Sequence, residues 1–132
     1  MSAITLIIKD GTFGGKVLNE ISIYLAGETV RVRDIIEARV FAEVEKYNAR
    51  LDGFYNGLIQ PVDAEVALNG YKMKTKNKVD PEKQAYVAFN AFVKNGFFIL
   101  IDNIQSQDLD EIVLVNEQTS ISFVKLTPLI GG

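Results

Sequence analysis

The hydrophobic period of this chain changes twice, and that constrains its fold more than any single motif does. Ile4, Leu6 and Ile8 alternate with Thr5 and Ile7, and Ile21, Ile23 and Leu25 alternate with Ser22, Tyr24 and Ala26, so the first stretch reads as two strands. Between them, Asp10-Gly11-Thr12-Phe13-Gly14-Gly15-Lys16 supplies the glycines of a hairpin loop. It resembles a phosphate-binding loop only faintly: it is one residue short before Gly15-Lys16, Val17 stands where Ser or Thr belongs, and a strand follows instead of a helix. From Val32 the period lengthens. Val32, Ile36, Val40, Val44, Tyr47 and Leu51 recur every three or four residues, with Arg33, Asp34, Glu37, Glu43 and Lys46 expected on the opposite, solvated face.

A second helix is announced by Asp80-Pro81-Glu82, an N-cap acceptor followed by a proline whose missing N–H is harmless in the first turn and an acid favoured by the helix dipole. Ala85, Ala88, Phe89, Phe92 and Val93 form its apolar stripe, and Asn95-Gly96 closes it. Period two then returns in Phe97-Phe98-Ile99-Leu100-Ile101, apolar on both faces and suited to a central strand, turned by Asp102-Asn103. Ile112–Val115 reads as a short edge strand and Ile121–Leu126 as the last one, ended by Pro128. The order strand, strand, helix, extra segment, helix, three strands makes an α+β domain with a mixed sheet, a single unit over residues 1–132.

Composition bounds the chemistry. With 132 residues, 48% of them hydrophobic, the chain can bury a core without a staple. Cys and His are both absent, which removes the thiolate nucleophile, the neutral-pH imidazole and the usual zinc ligands, so neither an enzyme nor a metal site is expected. A net charge of −3 argues against nucleic acid as the partner. The start of the chain, where Ile4–Ile8 already reads as structure, gives no expectation of a membrane segment, and a cytoplasmic location is expected.

The sequence runs from its last strand into Thr127-Pro128-Leu129-Ile130-Gly131-Gly132. Glycine gains a folded domain nothing at a free end, but without Cβ it can thread a narrow cleft that surrounds the backbone, so Gly131 and Gly132 are candidates for chemistry done to the chain by another protein. The two N-terminal strands, Glu28-Thr29-Val30-Arg31-Val32-Arg33-Asp34-Ile35-Ile36 entering a helix, three C-terminal strands and the ending from Ser122 to Gly132 together resemble the β-grasp proteins of the ubiquitin and sulfur-carrier group. That resemblance covers both ends of the chain, leaving about 50–96 as a long helical insertion between the first helix and the third strand, and 127–132 as a flexible tail. It implies that the Gly132 carboxylate is adenylated by an E1-like enzyme using ATP, no cofactor being bound by the chain itself. A ubiquitin-like modifier would then be joined to amines of protein targets, with an E2-like conjugating enzyme and a deconjugating metallopeptidase as further partners; a sulfur carrier would become a thiocarboxylate. Thr127, Pro128, Leu129 and Ile130 would be read by the activating enzyme, and their apolar character leans toward the carriers. The size of the insertion leans toward a modifier of bacterial type, because such additions usually build recognition surfaces.

Within the insertion, Phe54, Tyr55, Leu58 and Ile59 stand between turn formers. They read either as an exposed docking patch or, with more weight, as a loop folded onto a small core of its own. Lys72, Lys74, Lys76 and Lys78 fall on alternate residues, as on one face of an extended segment kept soluble. Two other classes remain: a non-catalytic interaction module, and an enzyme built on a carboxylate or lysine, which a strongly shifted carboxyl would signal.

Overall fold

The computed structural model describes residues 3–12, 14–62, 64–67, 70–75 and 77–125. Among them are ten strands and two helices, an α+β arrangement with a mixed sheet. β1 (Ile4–Gly11) and β2 (Val17–Leu25) form an antiparallel hairpin. β7 (Phe97–Ile101) runs antiparallel to β10 (Ile121–Lys125), and β10 lies parallel to β1, with Lys9 opposite Ser122. The short β8 (Ile104–Gln105) completes a five-stranded sheet in the order β2-β1-β10-β7-β8. Two residues with positive φ, Asp102 and Asn103, join β7 to β8, which is the geometry of a tight hairpin turn matched to strand twist.

One face of this sheet carries the core. Leu6, Ile23, Ile99 and Phe123 are buried together with Ile36 of helix α1 (Val32–Arg50). The helix begins where the sequence pattern changes: the Asp34 carboxylate accepts the Arg31 N–H at 2.8 Å, and the amides of Val32 and Arg33 donate to the carbonyls of Glu111 and Leu109. Those first amides have no partner within the helix, so the 109–111 turn satisfies them. Val32, Val40, Val44 and Tyr47 are buried as the period requires, and Leu51, in the left-handed region, ends the helix half-buried.

Three differences from the sequence reading have physical causes. Glu43, expected on the solvated face of α1, is 5% exposed, because it has partners inside. Ile112–Leu114 is a strand (β9) but borders no edge of the main sheet; it pairs with β3 (Thr29–Arg31) in a separate two-stranded ribbon, and β3 itself is too short to show a period. The 51–96 segment is more than helical: β4 (Phe54–Tyr55), β6 (Gly70–Met73) and β5 (Ala64–Ala67) make a three-stranded sheet ahead of helix α2 (Pro81–Val93).

α2 starts as its N-cap predicts, with the Asp80 carboxylate accepting from the amides of Glu82 and Lys83. It ends with Asn95 in the left-handed region, the Asn95 amide on the Phe92 carbonyl and the Gly96 amide on the Ala91 carbonyl, a Schellman closure. Ala85, Ala88 and Phe92 are buried and Phe89 half-buried, but Val93 is exposed. The stripe instead includes Gln84, buried with its amide donating to the Ile59 carbonyl at 2.9 Å.

Candidate functional site

Residues Thr127, Pro128, Leu129, Ile130, Gly131 and Gly132 lie outside the described residues, so the site is built from what surrounds the end of β10. The register places that end beside the hairpin end of β1, with Val124 opposite Gly11 and Asp10 opposite Phe123. Lys125 is the last described residue. Its ammonium lies 5.0 Å from the ring centroid of Tyr71 and donates to the Tyr71 hydroxyl. Tyr71 belongs to β6, so the small sheet of the 51–96 segment meets the main sheet at the end of β10.

A cleft of about 580 Å³ opens there between the β1–β2 hairpin, α1 and the small sheet, lined by Asp10, Arg39, Glu43, Tyr47, Tyr71 and Lys125 among others. The Arg39 side chain in its lining is fully buried, the residue being 1% exposed. A charge buried so far is held only if paired and hydrogen-bonded. Arg39 forks onto both oxygens of Asp10, with Nη2 2.7 Å from Oδ2, and onto Glu43 Oε2 from Nε at 3.3 Å and Nη2 at 3.2 Å. It also lies 4.8 Å above the Phe123 ring. Burial opposes its charge, but Asp10 and Glu43 more than offset this and hold the guanidinium above its ordinary value.

Glu43 joins this cluster to the 51–96 segment. Its Oε2 also accepts the Leu58 amide at 2.8 Å. Burial pushes the Glu43 carboxyl up to about 7 although Arg39 and the Leu58 amide pull the other way. Close approach is permitted by Gly57, where a Cβ would stand 2.3 Å from Tyr55 Cε1 and 3.1 Å from Glu43 Oε2. Tyr47 and Tyr55 pack with ring centroids 5.6 Å apart, and their buried hydroxyls meet no protein partner among the described residues. Burial raises the pKa of both phenols, making them weaker acids than an exposed tyrosine.

Of the four residues offered as a docking patch, Tyr55 and Leu58 are buried at 0% and 3%, and Ile59 is partly buried against the core. Phe54 alone of the four is open, at 51%. The segment is thus folded onto its own small core, in continuity with the main one. Lys72, Lys74 and Lys78 are exposed, and Lys76 lies outside the described residues.

Neither Arg39 nor Asp10 stood out in the sequence. A trace of the pair was present all the same, since Arg39 falls between Ile36 and Val40 and next to Glu43's turn, where helical spacing points a side chain inward. Among the described residues no group of three or more His, Cys, Asp or Glu assembles into a metal site, and no helix is long and apolar enough to cross a membrane. Comparison with family models, curated proteins and solved structures returns no match.

Proposed function

We propose that the chain is a β-grasp, ubiquitin-like protein modifier whose Gly132 carboxylate is activated by an E1-like adenylating enzyme and joined to amines of target proteins. The observation that carries this reading is the strand order β2-β1-β10-β7-β8, with β10 central, parallel to β1 and antiparallel to β7, and α1 packed across the same face. A central β10 parallel to β1 supports that reading, although the outer strand beside β7 is Ile104–Gln105 and not Ile112–Leu114.

The chemistry follows from the carboxylate. A Gly132 oxygen attacks the α-phosphorus of ATP, the bond to the β-phosphate oxygen breaks, and pyrophosphate leaves. A thiolate of the activating enzyme then displaces AMP to give a thioester. A target amine attacks the thioester carbonyl, loses a proton and releases the thiol, leaving an amide. The chain supplies no acid or base to these steps. A carboxyl pushed up to about 7, such as Glu43, is the kind of shift an acid–base residue shows. Here the Glu43 oxygen is engaged by Arg39 and the Leu58 amide, and we read it as a brace that ties the 51–96 insertion to the body.

The experiment is ATP–pyrophosphate exchange with an activating enzyme captured on the immobilised full chain. Exchange should be lost on deleting Gly131-Gly132 while the melting temperature holds. Equal exchange by the truncated chain would refute activation at Gly132. The sulfur-carrier reading draws on the apolar Thr127-Pro128-Leu129-Ile130. It is separated by mass spectrometry of the protein from its native cells: amide-linked adducts that survive detergent and thiol mark a modifier, whereas a species in which sulfur replaces one terminal oxygen, without such adducts, marks a carrier. Residues found beyond Gly132 in that native protein would require processing before either reaction.

A further inference from the structure

Helix α1 ends in Lys46-Tyr47-Asn48-Ala49-Arg50, which sets two cations one turn apart, their Cβ atoms roughly 5–6 Å from each other. Both line the cleft between the β1–β2 hairpin, α1 and the small sheet. Lys46 is exposed and makes no hydrogen bond or ion pair among the described residues. Arg50 has only a loose pair, its Nε 3.9 Å from Asp52 Oδ2 with both side chains about half exposed. Cations in the last turn of a helix balance its dipole, which is reason enough for a lysine or an arginine there. That does not account for Tyr47 between them. Tyr47 lines the same cleft, is 1% exposed, and its hydroxyl has no hydrogen-bond partner among the described residues. A phenol has a proton to donate, and buried donors rarely go without an acceptor. The three groups therefore share one requirement, an anionic acceptor.

The remaining polar lining has a different character. Arg39 is already matched by Asp10 and Glu43 and calls for no further anion. Asn19 and Glu20 on β2 and Asn56 after β4 are exposed, and they offer amide donors together with carbonyl and carboxylate acceptors. Groups of that kind pair with hydroxyls, and Glu20 would repel a ligand that was charged throughout. A molecule suited to both sets carries its charge in one group and hydroxyls on the rest. At about 580 Å³ the cleft is in the size range of sites that hold whole small molecules.

We propose that this cleft binds a phosphorylated sugar, free or within a mononucleotide, with its phosphate held by Lys46 and Arg50 and its hydroxyls by Asn19, Glu20 and Asn56. A phosphate monoester brings up to two negative charges and three terminal oxygens, which match the two cations and leave an acceptor for the Tyr47 hydroxyl. The Arg50 guanidinium is a planar fork suited to two of those oxygens, and Lys46 supplies a point charge beside it. A carboxylate has one charge for two cations and is the poorer match. The inference is independent of activation at Gly132 and stands if that reading fails.

The test titrates the isotope-labelled full chain with ribose-5-phosphate and, separately, with AMP. Saturable amide shifts should gather at Lys46, Tyr47 and Arg50 and at Asn19, Glu20 and Asn56. Saturation by either compound supports the proposal, and the tighter of the two identifies the source of the sugar. The double variant Lys46→Gln/Arg50→Gln should weaken affinity about tenfold or more, and raised salt should weaken it as well. Both side chains are exposed, so an unchanged melting transition confirms that this variant folds. Tyr47→Phe removes only the hydroxyl and should weaken binding about threefold or more at an unchanged or higher melting temperature. Lys83→Gln removes an exposed cation of α2 that does not line the cleft and should bind as wild type does. The proposal is overturned if neither compound saturates, if inorganic phosphate or ribose alone binds as well, or if the double variant or Tyr47→Phe binds unchanged. Equal weakening by Lys83→Gln would overturn it by reducing the effect to net charge. A phosphoserine peptide that binds more tightly than either compound would overturn it too, assigning the cations to a protein partner.

Discussion

Glu43→Gln should change how stability depends on pH, with a sign that only a buried carboxyl gives. In the folded chain burial pushes Glu43 up to about 7 against an ordinary value of 4.5. Below the lower value the carboxyl is protonated whether the chain is folded or not. Between the two, the folded chain holds a proton that the unfolded chain has released, so stability falls as pH rises through this window. Above about 7 both states are ionised and the loss is complete. At roughly 1.4 kcal/mol per unit, the difference between the two values corresponds to about 3 kcal/mol. Glutamine keeps the shape and an oxygen for the Leu58 amide but does not titrate. Urea unfolding of both proteins from pH 4.5 to 8 isolates the effect, since other ionisable groups are common to both. Wild type should lose about 3 kcal/mol relative to Glu43→Gln across this range, at constant dependence on urea concentration. A flat difference, or wild type gaining stability with pH, would refute the reasoning. Either result would mean that Arg39 and the Leu58 amide outweigh burial and keep Glu43 ionised throughout.

Other substitutions test the packing around the same cluster. Phe123→Ala removes a ring stacked on Phe97 at 5.7 Å and lying beneath Arg39, and should cost about 3–5 kcal/mol in chemical unfolding; a loss under 1 kcal/mol would place the core elsewhere. Gly57→Ala forces a Cβ against Tyr55 and the Glu43 carboxyl and should destabilise by about 1–3 kcal/mol, with the largest amide shifts at Leu58 and Tyr55 by NMR. Tyr55→Phe deletes a buried hydroxyl that has no protein partner among the described residues, so its melting temperature should match or exceed that of wild type; a clear drop would reveal a hydrogen bond made through water. Asp80→Ala should cost about 1 kcal/mol through the loss of the α2 cap, measured the same way.

The sequence showed most where one periodic rule acted alone. The alternation in Ile4–Ile8 and Ile21–Leu25, the helical spacing from Val32 to Tyr47 and the Asp80-Pro81 cap each marked an element that is present, because each follows from burying one face or satisfying one helix end. Short elements were illegible: Thr29–Arg31, Phe54–Tyr55 and Ile104–Gln105 are too brief for a period, and pairing with distant strands makes them. Glu43 was misplaced for a different reason. Helical spacing alone treats a carboxylate as a surface group, and its burial depends on Arg39 one turn earlier and on Asp10 and Leu58, from two other parts of the chain. The cleft beside Lys125 was likewise invisible, since it arises where β6 meets the end of β10, two segments far apart in sequence.

The parallel pairing of β1 with β10 sets a timetable for folding. Lys9 waits for Ser122, so while the chain is being made the hairpin β1–β2 and helix α1 can form early, but the sheet has no centre until the final strand emerges. Until then the apolar faces of Ile4, Leu6 and Ile8 lack the strand that separates them from β7. Contacts so distant along the chain carry the full loop-closure entropy before they return any stabilisation, which slows folding and prolongs exposure of the hairpin. A nascent or truncated chain lacking β10 is therefore the species for which chaperones and proteases would compete.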